Sequence, residues 1–200
     1  LSLNKAYGIW KQGESTTTIH GLTEINAAAA SSSYGVYASG YGSKIQLDGL
    51  KAAVNRDASD GLSIKSDGRG GSKISVNVKD GVTGDHEVQL NGNIYTGVDG
   101  ETNLALTTQE SLLNGVSIVQ TETGSDDDDN PVTEAGTLNL YLQTGAVWTN
   151  ENYSSARMKG FSGSAVSNFT GGSDAAHAGV VFQKDANDLT IASYSGNTKF

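Results

Sequence analysis

The chain predicts an all-β fold, a right-handed parallel β-helix (solenoid) with protruding loops. Three observations carry this. Short strands of alternating character recur along the chain, separated by Asx-Gly pairs. A segment near the start repeats once at solenoid spacing. Hydrophobic residues make up only 36% of the 200 residues, yet they fall in alternating runs, which fits a thin, elongated core.

In chain order, Tyr7-Gly8-Ile9-Trp10-Lys11-Gln12-Gly13 matches Tyr34-Gly35-Val36-Tyr37-Ala38-Ser39-Gly40 at an offset of 27 residues. Ile19-His20-Gly21-Leu22 matches Leu47-Asp48-Gly49-Leu50 at an offset of 28. Strands are expected at 43–47, 62–65, 73–78, 87–90, 104–107, 116–120, 138–142, 179–183 and 189–193. Turns are expected at Asp48-Gly49, Asp60-Gly61, Asp67-Gly68, Asp80-Gly81, Asn91-Gly92, Asp99-Gly100 and Asn114-Gly115, because these pairs supply positive φ. A hairpin meander would use the same signals. The long series of short Ile/Val-rich strands favours parallel stacking at about 4.8 Å, with roughly 20–28 residues per coil and about seven to ten coils.

Leu138, Leu140 and Leu142 alternate with Asn139, Tyr141 and Gln143, so one face is apolar and the other polar. Gly145 permits a turn and Trp148 caps the apolar row. The Ala-rich stretch 25–30 reads as small residues in a coil corner, with a short helical turn as the alternative. A single helical turn is also conceivable at 109–114. The rhythm breaks at 121–134, where four adjacent carboxylates, Asp126 to Asp129, precede Pro131. Like charges repel and proline cannot donate to a ladder, which implies an exposed loop. A second irregular zone covers 150–164. The expected organisation is 1–135 as coils with that acidic loop, continuous with C-terminal coils at 136–200.

A net charge of −9 and the lack of a basic cluster argue against nucleic-acid binding and against docking on an anionic membrane. There is no cysteine, hence no disulfide framework. No apolar run reaches the ~20 residues that span a bilayer. No leader pattern opens the chain, and patterned sequence at both ends reads as a piece of a longer protein.

The stretch Leu138 to Trp148, Leu-x-Leu-x-Leu-x-x-Gly-Ala-x-Trp, resembles the late passenger region of type V bacterial autotransporters. The unit Leu189-Thr190-Ile191-Ala192-Ser193-Tyr194-Ser195-Gly196 is similar to strand-and-turn units of that region. The resemblance covers residues 136–200; upstream coils match in style only. It implies a β-helical passenger displayed at the cell surface from a Gram-negative outer membrane, with C-terminal coils that act like an autochaperone. It implies adhesion, autoaggregation or biofilm formation, a role in virulence, and membrane association only through a separate translocator barrel.

Catalytic patterns are weak. Gly160-Phe161-Ser162-Gly163-Ser164 lacks the nucleophile-elbow spacing. His20, His86 and His177 read as solvated turn residues. Gly68-Arg69-Gly70-Gly71-Ser72-Lys73 departs from the Walker pattern. A β-helical polysaccharide-processing enzyme needs clustered carboxylates or basic residues on one face of the coil; Asp57 with Asp60, or Asp80 with Asp85, could supply a pair, though spacing alone does not place them on one face. The expectation is no enzyme, no cofactor and no metal site; the Asp126 to Asp129 run offers hard oxygen ligands suited to calcium, but it lacks the spaced EF-hand pattern and reads first as a solvated acidic loop. The candidate binding residues are Tyr34, Tyr37, Tyr41 and Tyr153, with Asp126, Asp127, Asp128 and Asp129 in the acidic loop. Tyr7 and Trp10 lie one repeat before Tyr34 and Tyr37. These rings form either a packed ladder or a platform for sugars or partner side chains. The expected partners are a host or bacterial surface protein or glycan, or a second copy. A passive stalk for another functional domain is the remaining alternative.

Overall fold

The computed structural model describes residues 5–58, 60–67, 70–125, 129–151, 163–184 and 188–200, and these form strands, turns and irregular segments without a helix. Strands β1 (Ala6–Gln12) and β2 (Ser15–Ala27) are repeated by β3 (Ser33–Ser39) and β4 (Ser43–Val54). Tyr7 pairs with Tyr34 and Trp10 with Tyr37 in parallel register, so the first sequence match is a structural match. The second holds in part. Ile19 pairs with Leu47, but Leu22 pairs with Gly49. One extra residue in β2 makes a bulge at His20-Gly21, and Gly21 takes the positive φ of 77° there.

β5 (Gly61–Asp67), β10 (Asn93–Thr96) and β13 (Ser117–Val119) complete a five-stranded sheet in the order β1-β3-β5-β10-β13. The other large sheet divides at β4. Lys44 to Leu47 pair with β6 (Lys73–Val76), and Leu50 to Ala53 pair with β9 (Val88–Asn91). One arm continues from β6 through β11 (Glu101–Leu106), β16 (Thr137–Leu142), β18 (Gly163–Thr170) and β20 (Asp188–Ser195). The other continues from β9 through β12 (Leu112–Asn114), β17 (Val147–Asn150), β19 (Gly179–Gln183) and β21 (Thr198–Lys199). All pairings along both arms are parallel. As far as β17 the chain therefore visits the first sheet, the first arm and the second arm in turn and then begins again; from β18 to β21 it alternates between the two arms.

Register places like residues in inward columns. Ile9, Val36, Ile64 and Ile94 form one. Leu47, Val76, Leu104, Leu140 and Phe169 form another. Ala52, Leu90, Leu113, Trp148 and Val181 form a third. These columns share one core cluster, in which Leu138, Leu140 and Leu142 are fully buried. Burying each such side chain contributes about 1.5–3 kcal/mol. Helix-covered parallel sheets read as unbroken apolar runs, whereas here the outer faces of β4, β9, β16 and β17 are open enough that the alternation survives, while β5 is buried on both faces. Gly35 shows why Tyr-Gly recurs: a Cβ there would stand 2.5 Å from the Ser63 carbonyl.

Several buried polar groups are absorbed locally. Ser66 and Thr102 hydroxyls lie 2.9 Å apart, and Thr96 donates to Thr102 at 2.9 Å. The Trp148 indole donates to the Gly115 carbonyl at 2.9 Å. Trp148 is thus built into the core wall of the second arm, where its ring stacks on Phe169.

Among the described residues, two antiparallel hairpins leave the parallel pattern. The first joins β7 (Val78–Lys79) to β8 (Val82–Thr83) through Asp80-Gly81, with φ values of 51° and 80°, as a two-residue hairpin turn requires. Asn77 anchors its base. It is buried, donates to the His86 and Ala105 carbonyls and the Thr107 hydroxyl, and accepts from the His86 N–H. The second hairpin pairs β14 (Thr121–Ser125) with β15 (Pro131–Ala135), and every residue of both strands is exposed. The expected acidic loop is therefore a hairpin over its described residues; Pro131 fits because it sits at the strand start, opposite Ser125. At its root the Gly136 N–H donates to the Gln120 carbonyl at 2.9 Å.

Three local expectations change. Asp48-Gly49 lies inside β4, where the strand passes from one arm to the other. Residues 112–114 of the conceivable helical turn form β12, because Leu113 is needed in the core. His20 stands in β2, not in a turn. The boundary at 135/136 is bridged by β11–β16 pairing from Glu101–Thr137 to Leu106–Leu142, so both parts share one core.

Candidate functional site

Strands β1 and β3 position the aromatic candidates. In each, the first aromatic points outward, the Gly and the Ile or Val turn inward, and the next aromatic points outward again. Tyr7, Trp10, Tyr34 and Tyr37 consequently gather on the outer face of the five-stranded sheet. Tyr7 stacks on Tyr34 with centroids 5.1 Å apart and planes 9° from parallel. Tyr34 and Tyr37 are 5.3 Å apart, and Tyr7 and Trp10 are 5.2 Å apart. Trp10 donates through its indole N–H to the Ser39 hydroxyl at 2.9 Å.

The array is graded from buried to open. Tyr34 is 2% exposed and packs with Leu62, Val116 and Ile118, while Tyr7 is 36% and Trp10 55% exposed. Tyr34 thus packs as part of the wall, and Tyr7 and Trp10 present surface. Tyr41 does not join these rings. It is 66% exposed and its ring lies against Gly70. Asp129 is exposed at a φ of 60° near the start of β15. Asp126, Asp127, Asp128 and Tyr153 lie outside the described residues.

Two lysines that sequence reasoning missed complete the array. The Lys5 ammonium stands 5.5 Å from the Tyr7 centroid and 5.4 Å from that of Tyr34. Lys65 lies 4.8 Å from Tyr37 and 5.5 Å from both Tyr34 and Tyr95. Cations over ring faces are attracted by the aromatic quadrupole. Lys65 also pairs with Asp67 at 2.8 Å. A signal existed: Leu62-Ser63-Ile64-Lys65 follows Tyr34-Gly35-Val36-Tyr37 by 28 residues, with Lys65 in the register position of Tyr37. A search for aromatics alone passes over it.

A second outer feature is a hydrogen-bonded amide row on the first arm. Asn168 donates to Asn139 at 2.7 Å, Asn139 to Asn103 at 2.7 Å, and Asn103 to the Ser75 hydroxyl at 3.2 Å. Parallel register alone produces this, since it sets each residue over its counterpart.

The carboxylate pairs behave differently from one another. Asp57 is exposed, whereas Asp60 is buried and accepts from the Ser32 hydroxyl at 3.0 Å. Asp80 and Asp85 line an open cleft of about 380 Å³ beneath the first hairpin, together with Asp48, Lys79 and His86. Asp48 accepts from the Gly21 N–H and contacts His20, both at 3.0 Å. The Gly21 hydrogen bond, then His20, holds its pKa below the ordinary 3.8. Among the described residues, no three His, Asp or Glu side chains converge to hold a metal ion. Ser164 is buried and donates to Asn150 at 2.6 Å, which is a structural role.

Compared with models of known families, with curated proteins and with solved structures, the chain returns no match.

Proposed function

We propose that this chain is a stretch of right-handed parallel β-helix from the passenger of a bacterial autotransporter, and that it acts as a cell-surface adhesin. The chain's return to the same sheet, arm and arm supports the helix reading. Parallel crossovers within one sheet are almost always right-handed. The Leu138 to Trp148 pattern supports the passenger reading. Adhesion, autoaggregation or biofilm formation would then proceed by contact along the flank and through the projecting hairpins. Many weak contacts add along a repetitive surface.

One observation carries the adhesive reading. The outer faces are organised as continuous columns, the aromatic array and the amide row, which offer repeated contacts to a glycan, a surface protein or a second copy. The test is display of the chain on a translocator barrel in a non-aggregating bacterium, with sedimentation and attachment to epithelial or abiotic surfaces measured. Increased settling or attachment is expected. No change in either, or turnover of an acidic polysaccharide by the purified protein, would overturn the proposal.

A further inference from the structure

The outer face of the second arm carries an amide row with one rung missing. Parallel register sets Asn26 beside Ala53, Ala53 beside Asn91, and Asn91 beside Asn114. Asn114 donates to the Asn91 side-chain oxygen at 2.8 Å. In the row on the first arm, Asn139 accepts from Asn168 on one side and donates to Asn103 on the other, both at 2.7 Å. Asn91 accepts in the same way, but its next rung is the methyl group of Ala53. Among the described residues, the Asn91 Nδ2 has no hydrogen-bond partner. Across the gap, the Asn26 side-chain oxygen accepts the Ala28 N–H at 3.3 Å and keeps a second lone pair.

The gap is a notch in the flank. An open cleft of about 430 Å³ is lined by Ala53, by Glu24 and Asn26 on β2, and by Gln89 and Asn91 on β9. It opens sideways, with a paired strand on each side of β4, so access to it does not depend on an end of the stack. Two strand spacings separate Asn26 from Asn91, about 9.6 Å, which leaves room for one amide between them. That amide has to accept from Asn91 and donate toward Asn26. A trans secondary amide, with its C=O and N–H on opposite sides, does both.

The rim selects the rest of the ligand. Lys51 is already paired with Glu87 at 2.9 Å, and Glu24 adds an acid. A carboxylated ligand is repelled there and a neutral one is not. Carboxylate and amide oxygens on the rim accept from hydroxyl groups. A terminal acetamido group enters such a notch end-on, its methyl against Ala53, whereas a peptide amide carries chain on both sides. A 2-acetamido sugar combines the secondary amide, the hydroxyls and the neutral charge.

We propose that Asn26, Ala53 and Asn91 form a binding notch for the acetamido group of an N-acetylhexosamine unit in a neutral glycan. This deepens the adhesin reading, on which its biological use rests, by naming a glycan class for the flank.

The experiment titrates the whole chain with triacetylchitotriose, with cellotriose, which keeps the rings and linkage but lacks the acetamido group, and with acetyl-triglycine amide as the peptide counterpart. Heteronuclear NMR spectra follow the side-chain NH2 signals of Asn26 and Asn91. A shift of the Asn91 signal by triacetylchitotriose is expected, with an affinity at least fivefold above that for cellotriose or the peptide. Ala53→Asn supplies the missing rung and should abolish binding while leaving the thermal midpoint unchanged or raised. Asn91→Asp keeps the acceptor for Asn114 and replaces only the donor; it should weaken binding at least fivefold. Equal affinity for the two sugars, tighter binding of the peptide, undiminished binding in either variant, or no binding of triacetylchitotriose would overturn the notch. If the sugar does not bind yet displayed cells settle or attach, the notch falls and the adhesin reading stands; sugar binding without settling or attachment overturns the adhesin reading alone.

Discussion

The chain has two tryptophans, and the structure uses them in opposite ways. Trp148 stands inside, its indole N–H bonded to Gly115 and its ring on Phe169. Trp10 stands outside, its indole N–H bonded to Ser39 and its ring beside Tyr7 and Tyr37. Both are satisfied and both stack, so stacking alone does not separate a structural aromatic from a surface one. Burial does: Trp148 is fully buried and Trp10 mostly exposed.

Substitution should split the pair most sharply at Trp148. Trp148→Ala removes a core ring and should destabilise by about 3–5 kcal/mol, read as a lower urea midpoint; a loss under about 1 kcal/mol would refute its core role. Next comes the anchor of the first hairpin. Asn77→Ala leaves several polar groups without their partner and keeps a φ of 55° that alanine disfavours. A loss of about 2–3 kcal/mol is expected by the same measurement, with faster amide exchange in 78–86. Trp10→Ala, in contrast, should cost no more than about 1 kcal/mol. A larger loss would make the outer array part of the scaffold and erase the contrast.

Removing 121–135 and joining Gln120 to Gly136 should change stability by a few tenths of a kcal/mol, because the junction residues already touch and loop-closure entropy is small. Collapse of the shortened chain in denaturant would show that the second hairpin supports the sheets. The smallest effect concerns acid. Asp48 has a pKa lowered below 3.8 by Gly21 and His20. A depressed carboxylate stabilises above its unfolded pKa, and that stabilisation fades as pH falls through the lowered value. Asp48→Asn should therefore flatten the decline in stability below about pH 4, without changing its slope between pH 5 and 8.

Much of this was legible in the chain. The Leu138 to Leu142 alternation, the 27-residue match and the turn at Asp80-Gly81 each follow from a local rule. What escaped notice depended on register. Val88 to Asn91 pair with strands 38 residues before and 23 after, because the first hairpin lengthens one interval. A fixed period cannot find such partners. Lys65 was missed for a related reason, since a lysine beside tyrosines in space looks like an ordinary surface charge in sequence. The amide row was foreseen as polar flank but not as a bonded series, for hydrogen bonding between Asn103, Asn139 and Asn168 exists only once the strands align. Tyr41 shows the converse, a tyrosine close in sequence that the ladder leaves out.

The closed root of the second hairpin has an evolutionary consequence. With Gln120 and Gly136 already joined by a backbone hydrogen bond, residues spliced between them hang outside the wall and ask nothing of it. Length and charge can change there while the framework stays constant. The same port is where a foreign epitope could be grafted for vaccine presentation.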